Sequence, residues 1–370
     1  MNNNKNFFER HPKKTISILI FMGVVVFDIL LANVLMSAGF YAPQKKIEQY
    51  YRIKDPVFHH ALKKNIEHSD AVWGAMGYSI FTNSLGFKDK SAREVPLKSN
   101  NERIVFIGDS FTEGIGFSHE NSFVGLIEKR LEQKNIEVFN AGVSSYSPII
   151  YYRKVKHYIE DVGLNFDRLV VFIDISDIQD EATSYAFDEN LNVIGHPASK
   201  ENEPEEKIKR FITENTILLS NFRIFLRSLK KKTPLTKAPE INDTLNANRS
   251  LWTIKDDVYS EYGTEGVSLA LKRMNMLSKL LEEKGIKLTI AVYPWPDQIW
   301  YKDLKSKQVR IWNEWASDHN AEFINLFPLF INEAEPMKIL QKYFILGDIH
   351  WNADGHRLVA DNFLKQFNLK

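Results

Sequence analysis

Five stretches rich in Val, Ile and Phe constrain this chain most: Arg103–Ile107, Glu137–Asn140, Leu169–Ile173, Lys287–Tyr293 and Glu322–Asn325. None alternates apolar with polar residues, as a strand with one wet face would, so each needs cover on both sides. Helical patterns separate them over Asn121–Lys134, Ile149–Val162, Gly266–Lys284 and Lys305–His319. A last one runs from Ala353 to Leu369, with Leu358, Val359, Phe363, Leu364 and Phe367 at helical spacing. Strands alternating with helices imply a parallel five-stranded sheet in a doubly wound α/β fold. At 370 residues, 44% hydrophobic and 26% charged, the chain has ample material for such a core.

Two regions break the rhythm. Ile16 to Phe40 is an apolar run interrupted by Asp28, Asn33 and small residues. As a helix it extends about 37 Å, enough for a hydrocarbon core of about 30 Å. A buried soluble helix of that length would show a polar face. The expected organisation is a basic tail over 1–15, a transmembrane anchor over 16–40, an irregular lead-in over 41–100 and an α/β domain over 101–370. A cleavable signal peptide is the rival to the anchor, because Ser37-Ala38-Gly39 offers small residues, although the apolar run is long for one. Asp28 is costly in lipid unless paired, which makes it a candidate contact with another membrane helix. Four basic residues precede the run (Lys5, Arg10, Lys13, Lys14) and four follow it (Lys45, Lys46, Arg52, Lys54), so charge does not decide topology. In the lead-in, Asn83–Lys88 reads as a turn that places Phe87 against the domain. The second irregular region, 183–264, is an insertion. It contains Lys200-Glu201-Asn202-Glu203-Pro204-Glu205-Glu206-Lys207, an apolar helical pattern over Ile208–Leu229, and a basic stretch to Pro239. It reads equally as a lid or docking element and as a solvated excursion.

Chemistry concentrates at two points. Gly108-Asp109-Ser110-Phe111-Thr112-Glu113-Gly114 follows the first strand directly. A serine at a strand end presents its hydroxyl at the carboxyl edge of the sheet, where open α/β folds bind ligands. The plainer reading is a Gly/Ser/Asp turn. Near the other terminus, Gly347-Asp348-Ile349-His350-Trp351 enters the last helix. A hydroxyl needs a base, usually an imidazole oriented by a carboxylate. Asp348 and His350 would diverge on a helix but converge in a turn. A lone loop histidine is more often structural; one beside an Asp is harder to dismiss. Trp295, between Pro294 and Pro296 after the fourth strand, and Trp351 are candidate faces for a sugar or acyl group, with aromatic packing as the plainer reading for each.

Taken together, Gly108-Asp109-Ser110 with Thr112 and Gly114, Asn140-Ala141-Gly142, and Asp348 with His350 resemble the blocks of the SGNH (GDSL-type) hydrolase superfamily. The resemblance covers roughly residues 83–368. It implies a three-layer, flavodoxin-like sandwich and a Ser110–His350–Asp348 triad, with an oxyanion held by the backbone N–H groups of Ser110 and Gly142. The family usually adds an Asn in its third block; here Ser176 stands there, a shorter donor. Losing one oxyanion donor costs roughly 100- to 1000-fold in rate. The short Asp-x-His-Trp spelling is similar to the branch holding alginate-type O-acetyltransferases. That implies a periplasmic domain on an N-in inner-membrane anchor, and a membrane-embedded acyl-donor partner.

The remaining composition excludes more than it suggests. A net charge of +1 gives no argument for a nucleic-acid partner. Zero cysteines exclude disulfides, thiolate metal sites and a cysteine nucleophile. No nucleotide-binding glycine motif appears, so no cofactor is expected. Asp174, Asp177, Asp180 and Glu181 suggest a metal, but no histidine accompanies them, and none is expected. The favoured function is an acyl-ester hydrolase or O-acyltransferase acting on O-acetyl groups of cell-envelope carbohydrate. The alternatives are a catalytically weak scaffold that binds glycan or a membrane partner, and metal-dependent hydrolysis.

Overall fold

The apolar stretches pair as expected, but they do not stand alone. The structure, a computed structural model, describes residues 11–38, 40, 44–74, 76–197, 204–222 and 244–368. These fall into two compact units, one drawn from residues 48–199 and 239–370 and the other from 1–47 and 200–238. The larger unit opens with two antiparallel hairpins, β1 (Arg52–Asp55) with β2 (His59–Leu62), and β3 (Ser69–Trp73) with β4 (Met76–Thr82). The short β5 (Lys88–Asp89) follows. Then come β6 (Arg103–Ile107), β7 (Glu137–Asn140), β8 (Arg168–Ile173), the small hairpin of β9 (Tyr185–Phe187) with β10 (Val193–Gly195), β11 (Lys287–Val292) and β12 (Glu322–Asn325).

The main sheet has the order β12-β11-β8-β6-β7-β5-β4-β3. Its first five strands are parallel and are the five read from sequence. The remaining three are antiparallel and come from residues 69–89. The expectation of a five-stranded sheet with an irregular lead-in is therefore corrected: the lead-in extends the sheet to eight strands. Its residues are polar and mixed, so no apolar run announced strands that gain their order by pairing with an existing edge. β6 and β8 are buried at every residue, as strands covered on both faces must be.

The helices used below are, in chain order, α1 (Pro12–Ser37), α2 (Ser110–Glu113), α3 (Phe123–Leu131), α4 (Pro148–Lys156), α5 (Asp177–Thr183), α6 (Pro204–Asn215), α7 (Thr264–Glu283), α8 (Lys307–Asp318) and α9 (Ala353–Gln366). α3 packs on α9, and α7 packs on α4 and α5. Phe106, Phe123, Phe172 and Phe363 join strands to helices in one aromatic cluster. Phe87 is buried beside a turn in which Gly86 takes the left-handed conformation, as the Asn83–Lys88 pattern suggested. The insertion is not one body. Residues 183–197 and 244–264 belong to the larger unit, whereas α6 and residues 217–222 belong with α1. The Leu229 end of the apolar pattern and the basic stretch to Pro239 lie outside the described residues.

Candidate functional site

Ser110 opens α2 directly after β6. Asp109 caps this short helix by accepting the Phe111 N–H at 3.0 Å, and Gly114 ends it in the left-handed conformation. Two glycines make room around it. A Cβ on Gly108 would lie 2.2 Å from Thr112 Oγ1 and 2.8 Å from the Phe172 carbonyl oxygen. One on Gly142 would lie 2.7 Å from Thr112 Cβ and 2.9 Å from the Glu113 nitrogen. The tight fit explains why these two motif positions carry no side chain.

His350 reaches this serine from a turn pinned at both ends. Its carbonyl accepts the Ile345 N–H at 2.9 Å, and Asn352 caps α9 through the Asp354 and Gly355 N–H groups. Within the turn, Asp348 Oδ1 lies 2.5 Å from His350 Nδ1 and also accepts the His350 backbone N–H. His350 Nε2 lies 2.7 Å from Ser110 Oγ. A carboxylate on Nδ1 fixes that nitrogen as the donor and leaves Nε2 to accept the hydroxyl proton. The structure thus brings together the hydroxyl, imidazole and carboxylate expected from sequence. Burial works against ionising Asp348, but the hydrogen bonds and charge of His350 outweigh it and hold the carboxyl below its usual range.

A residue from the lead-in completes this line. Trp73, at the end of β3, donates its ring N–H to Asp348 Oδ2 at 2.9 Å and sets its ring edge-on to His350. Nothing local in the sequence signals a contact across 275 positions. Arg52 of β1 likewise reaches Glu113 of α2 at 2.7 Å, and the other oxygen of Glu113 accepts the Ser144 N–H. Behind the serine, Asp109 accepts Tyr293 OH at 3.1 Å and lies 3.1 Å from Ser110 Oγ. Burial and the neighbouring Asp174 push the Asp109 carboxyl well above its ordinary value. The Ser110 hydroxyl thus has two acceptors within reach, Asp109 Oδ2 at 3.1 Å and His350 Nε2 at 2.7 Å.

The proposed oxyanion donors fare unevenly. The Ser110 N–H stands at a helix start, where intrahelical acceptors are lacking. The Gly142 N–H is held by Asn140 Oδ1 at 3.1 Å, a bond an oxyanion would have to share or displace. Ser176 lines the cleft, yet its hydroxyl and its N–H both go to Asp174 Oδ1, at 2.6 and 2.7 Å. The expectation that Ser176 donates a third bond is corrected: its one proton is committed to a buried carboxylate. The cleft, of about 540 Å³, also receives Asn246 and Arg249 from the C-terminal part of the insertion. Arg249 pairs with Asp180. Trp295 lines the same cleft and donates its ring N–H to Asp174 Oδ2 at 2.6 Å. Trp351 does not reach it. That indole is fully buried among Phe111, Phe123, Tyr293 and Phe330, so its candidacy for substrate contact is corrected to core packing.

Most oxygens of the acidic cluster are taken by neighbouring groups, although Asp177 Oδ1 is buried without a partner. Asp177 accepts Tyr151 OH at 2.9 Å, Asp180 takes Ser184 and Arg249, and Glu181 takes the Ser147 hydroxyl and the Ile149 N–H. Among the described residues, no group of three or more His, Asp or Glu could hold a metal ion.

A nucleophile-bearing turn at the carboxyl edge of a parallel sheet, faced by a histidine turn before the last helix, is the arrangement of the SGNH hydrolase class. The chain belongs to the GDSL-like lipase/acylhydrolase family, whose model matches residues 106–358. Among solved structures it is similar to a lipolytic G-D-S-L protein of Veillonella parvula, at 16% identity over 73% of this chain and 100% of that one, with a TM-score of 0.39. The psychrotrophic esterase EstA of Pseudoalteromonas sp. is 12% identical over 72% and 96% of the two chains, TM-score 0.39. Axe2, an acetylxylan esterase of Geobacillus stearothermophilus, is 13% identical over 74% and 98%, TM-score 0.39. At these scores the likeness decides nothing about substrate. No curated protein matches the chain.

Proposed function

We infer that the protein is a membrane-anchored serine esterase or O-acyltransferase that works through an acyl-enzyme on O-acetylated carbohydrate of the cell envelope. The observation that carries this reading is the continuous line from Ser110 Oγ through His350 to Asp348, at 2.7 and 2.5 Å. His350 Nε2 takes the Ser110 proton as Oγ attacks the ester carbonyl. The resulting oxyanion is stabilised by the Ser110 N–H and by Gly142 once Asn140 yields. Collapse expels the alcohol, which takes the proton from His350, and leaves the acyl group on Ser110. His350 then deprotonates the acceptor. Water gives an esterase and a sugar hydroxyl gives a transferase, so the outcome rests on how well the cleft excludes water. With Ser176 committed elsewhere, Asn246 and Arg249 supply the cleft's remaining side-chain N–H groups outside Trp73, Trp295 and His350. We place the domain on the extracytoplasmic side of an inner membrane, supported by the apolar α1 and by the resemblance of Asp348-Ile349-His350-Trp351 to the O-acetyltransferase spelling. A membrane-embedded acyl donor would be the partner of the transferase outcome.

Full-length protein in detergent, assayed on a small acetyl ester with and without an oligosaccharide acceptor, tests this. Ser110→Ala should lower turnover by about 1000-fold or more, and a serine-directed phosphonate should label Ser110 alone. Acceptor-dependent acetylated product selects the transferase; free acetate selects the esterase. The engaged Gly142 N–H and Ser176 hydroxyl favour one second reading, a slow or inactive glycan-binding scaffold. Wild-type protein with no turnover but with glycan binding that survives Ser110→Ala would select it.

A further inference from the structure

Asp28, the carboxylate interrupting the apolar run, has no exposed surface in the structure. It accepts three backbone N–H groups: Ile217 and Leu218 on Oδ1, both at 2.9 Å, and Leu219 on Oδ2 at 2.8 Å. These residues start the helical turn 218–222, just after α6. A carboxylate closing the first N–H groups of a helix is a capping contact. Here the cap comes from a different helix, nearly 190 positions away.

The position of that cap along α1 has a consequence for the insertion. α1 has 26 residues and is about 39 Å long at 1.5 Å per residue, so it overhangs a hydrocarbon core of about 30 Å by about 9 Å in all. Asp28 lies nine residues from Ser37, about 13.5 Å along the axis. Even with the whole overhang at the Ser37 end, Asp28 sits about 4 Å or more inside the core. Tilting shortens the overhang and puts it deeper. The backbone at 217–219 is hydrogen-bonded to it and shares that depth.

The local chemistry fits a segment without water. Several of its polar side chains turn back on their own helix: Asn215 Nδ2 donates to the Phe211 carbonyl, Thr216 Oγ1 to that of Ile212 and Asn221 Nδ2 to that of Ile217. Asn33 and Ser37 of α1 do the same with Ile29 and Asn33. Such bonds satisfy donors where no solvent can. Ile208, Phe211 and Leu218 are 60%, 52% and 48% exposed, while the charges lie on α6: Lys207 and Arg210 are exposed on stems long enough to reach an interface, Lys209 pairs with Glu206, and Glu214 is the one acidic residue between 208 and 222.

We propose that residues 208–222 of the insertion form a re-entrant element that enters the lipid beside α1 and is held there by the Asp28 cap. The partner of this surface is the acyl-chain region of a bilayer. The inference rests on the anchor reading of α1 given above. It makes this part of the insertion, which groups with α1, part of the membrane-embedded unit.

The absence of cysteine makes the test direct. Single Leu19→Cys, Phe211→Cys, Leu218→Cys and Lys272→Cys variants of the full chain, spin-labelled in nanodiscs, are compared for access to oxygen and to a water-soluble nickel chelate. The oxygen-to-nickel ratio at 211 and 218 should exceed that at 272 severalfold and approach that at 19. Aqueous values at 211 and 218 with a lipid value at 19 overturn the proposal and leave the anchor standing. Aqueous values at 19 as well overturn both. Adding Asp28→Ala should bring the labels at 211 and 218 towards water and leave 19 unchanged; an unmoved 218 label overturns the cap. Ester turnover in the same samples reports that the hydrolase unit is folded.

Discussion

At the scale of single residues, Trp73 is the side chain on which the site most depends outside the family's motif blocks. Asp348 has two oxygens to satisfy. His350 takes one through both its ring and its backbone, and Trp73 takes the other. Without the indole N–H, the second oxygen loses a charge-assisted bond worth about 1.5–3 kcal/mol. Trp73→Phe keeps a ring against His350 and removes only the donor. It should lower kcat about tenfold or more with a small change in KM, measured by steady-state kinetics. Trp73→Ala also opens the cleft and should raise KM. A second readout separates positioning from bulk. The Asp348 carboxyl is held below its usual range in the folded state, so its stabilising contribution is present above the unfolded value near 3.9 and is lost as pH falls through the folded one. The Tm difference between wild type and Trp73→Phe should therefore be largest at neutral pH and shrink in acid. A difference independent of pH would mean that the indole acts by packing alone.

At the scale of elements, the five central strands and the helices between them were legible because burial on both faces forces continuous apolar runs. The serine and histidine turns were legible because glycine, Asp and Asn punctuate them. What stayed hidden shares a physical cause. β3, β4 and β5 pair with an edge that exists only after the rest has folded, so their residues need no strand pattern of their own. Trp73, Arg52 and Arg249 carry no local motif in sequence, and become site residues through contacts 275, 61 and 69 positions away. Ser176 misled for the opposite reason: its place in the motif order was right, but its proton goes to Asp174. The lead-in's role can be measured through Arg52 and Glu113, which tie β1 to α2. Glu113 is fully buried, and Arg52, with Lys88 behind it, overcomes the cost of burial and keeps that carboxyl below its ordinary value. Removing one partner strands the other charge and typically costs about 3–5 kcal/mol. Arg52→Met should destabilise the hydrolase unit by about that much in denaturant titration and slow ester turnover, because Glu113 also holds the Ser144 N–H at the cleft. The double variant Arg52→Met, Glu113→Gln should recover part of the stability. An Arg52→Met protein as stable as wild type would show that the lead-in is not integral.

At the scale of the whole molecule, the buried ionisable groups set an unusual pH dependence. Burial pushes Glu181 up to about 7, against the bonds it receives from Ile149 and Ser147. Burial pushes Lys154 down to about 7, although its ammonium donates to the Ala141 carbonyl and Tyr146 OH and faces the rings of Phe58, Phe87 and Tyr146. Lys88, donating to the Gly114 and Phe117 carbonyls, is pushed down to about 8. Glu181 is raised on folding, so its contribution is complete below its unfolded value near 4.3 and is lost as pH rises through about 7. The two lysines are depressed, so theirs is complete above their unfolded value near 10.4 and is lost as pH falls through about 8 and then 7. The losses meet near neutrality. Each pKa unit is worth about 1.4 kcal/mol, so Glu181 accounts for about 3 kcal/mol between pH 4.5 and 7, and Lys154 for somewhat more between 7 and 10. Other buried groups titrate over the same range, His60 and His356 among them, both pushed down to about 3 by burial, so the contribution of each group is read as a difference between wild type and variant. The Tm difference between wild type and Glu181→Gln, which keeps an acceptor for Ile149, should change between about pH 4.3 and about 7 and stay level above; that for Lys154→Met should change between about pH 7 and about 10.4 and stay level below. A Tm difference that is the same at all pH values in both variants would mean that these groups meet water in the folded protein, and that the wall behind Ala141 and Gly142 is wetter than its packing implies.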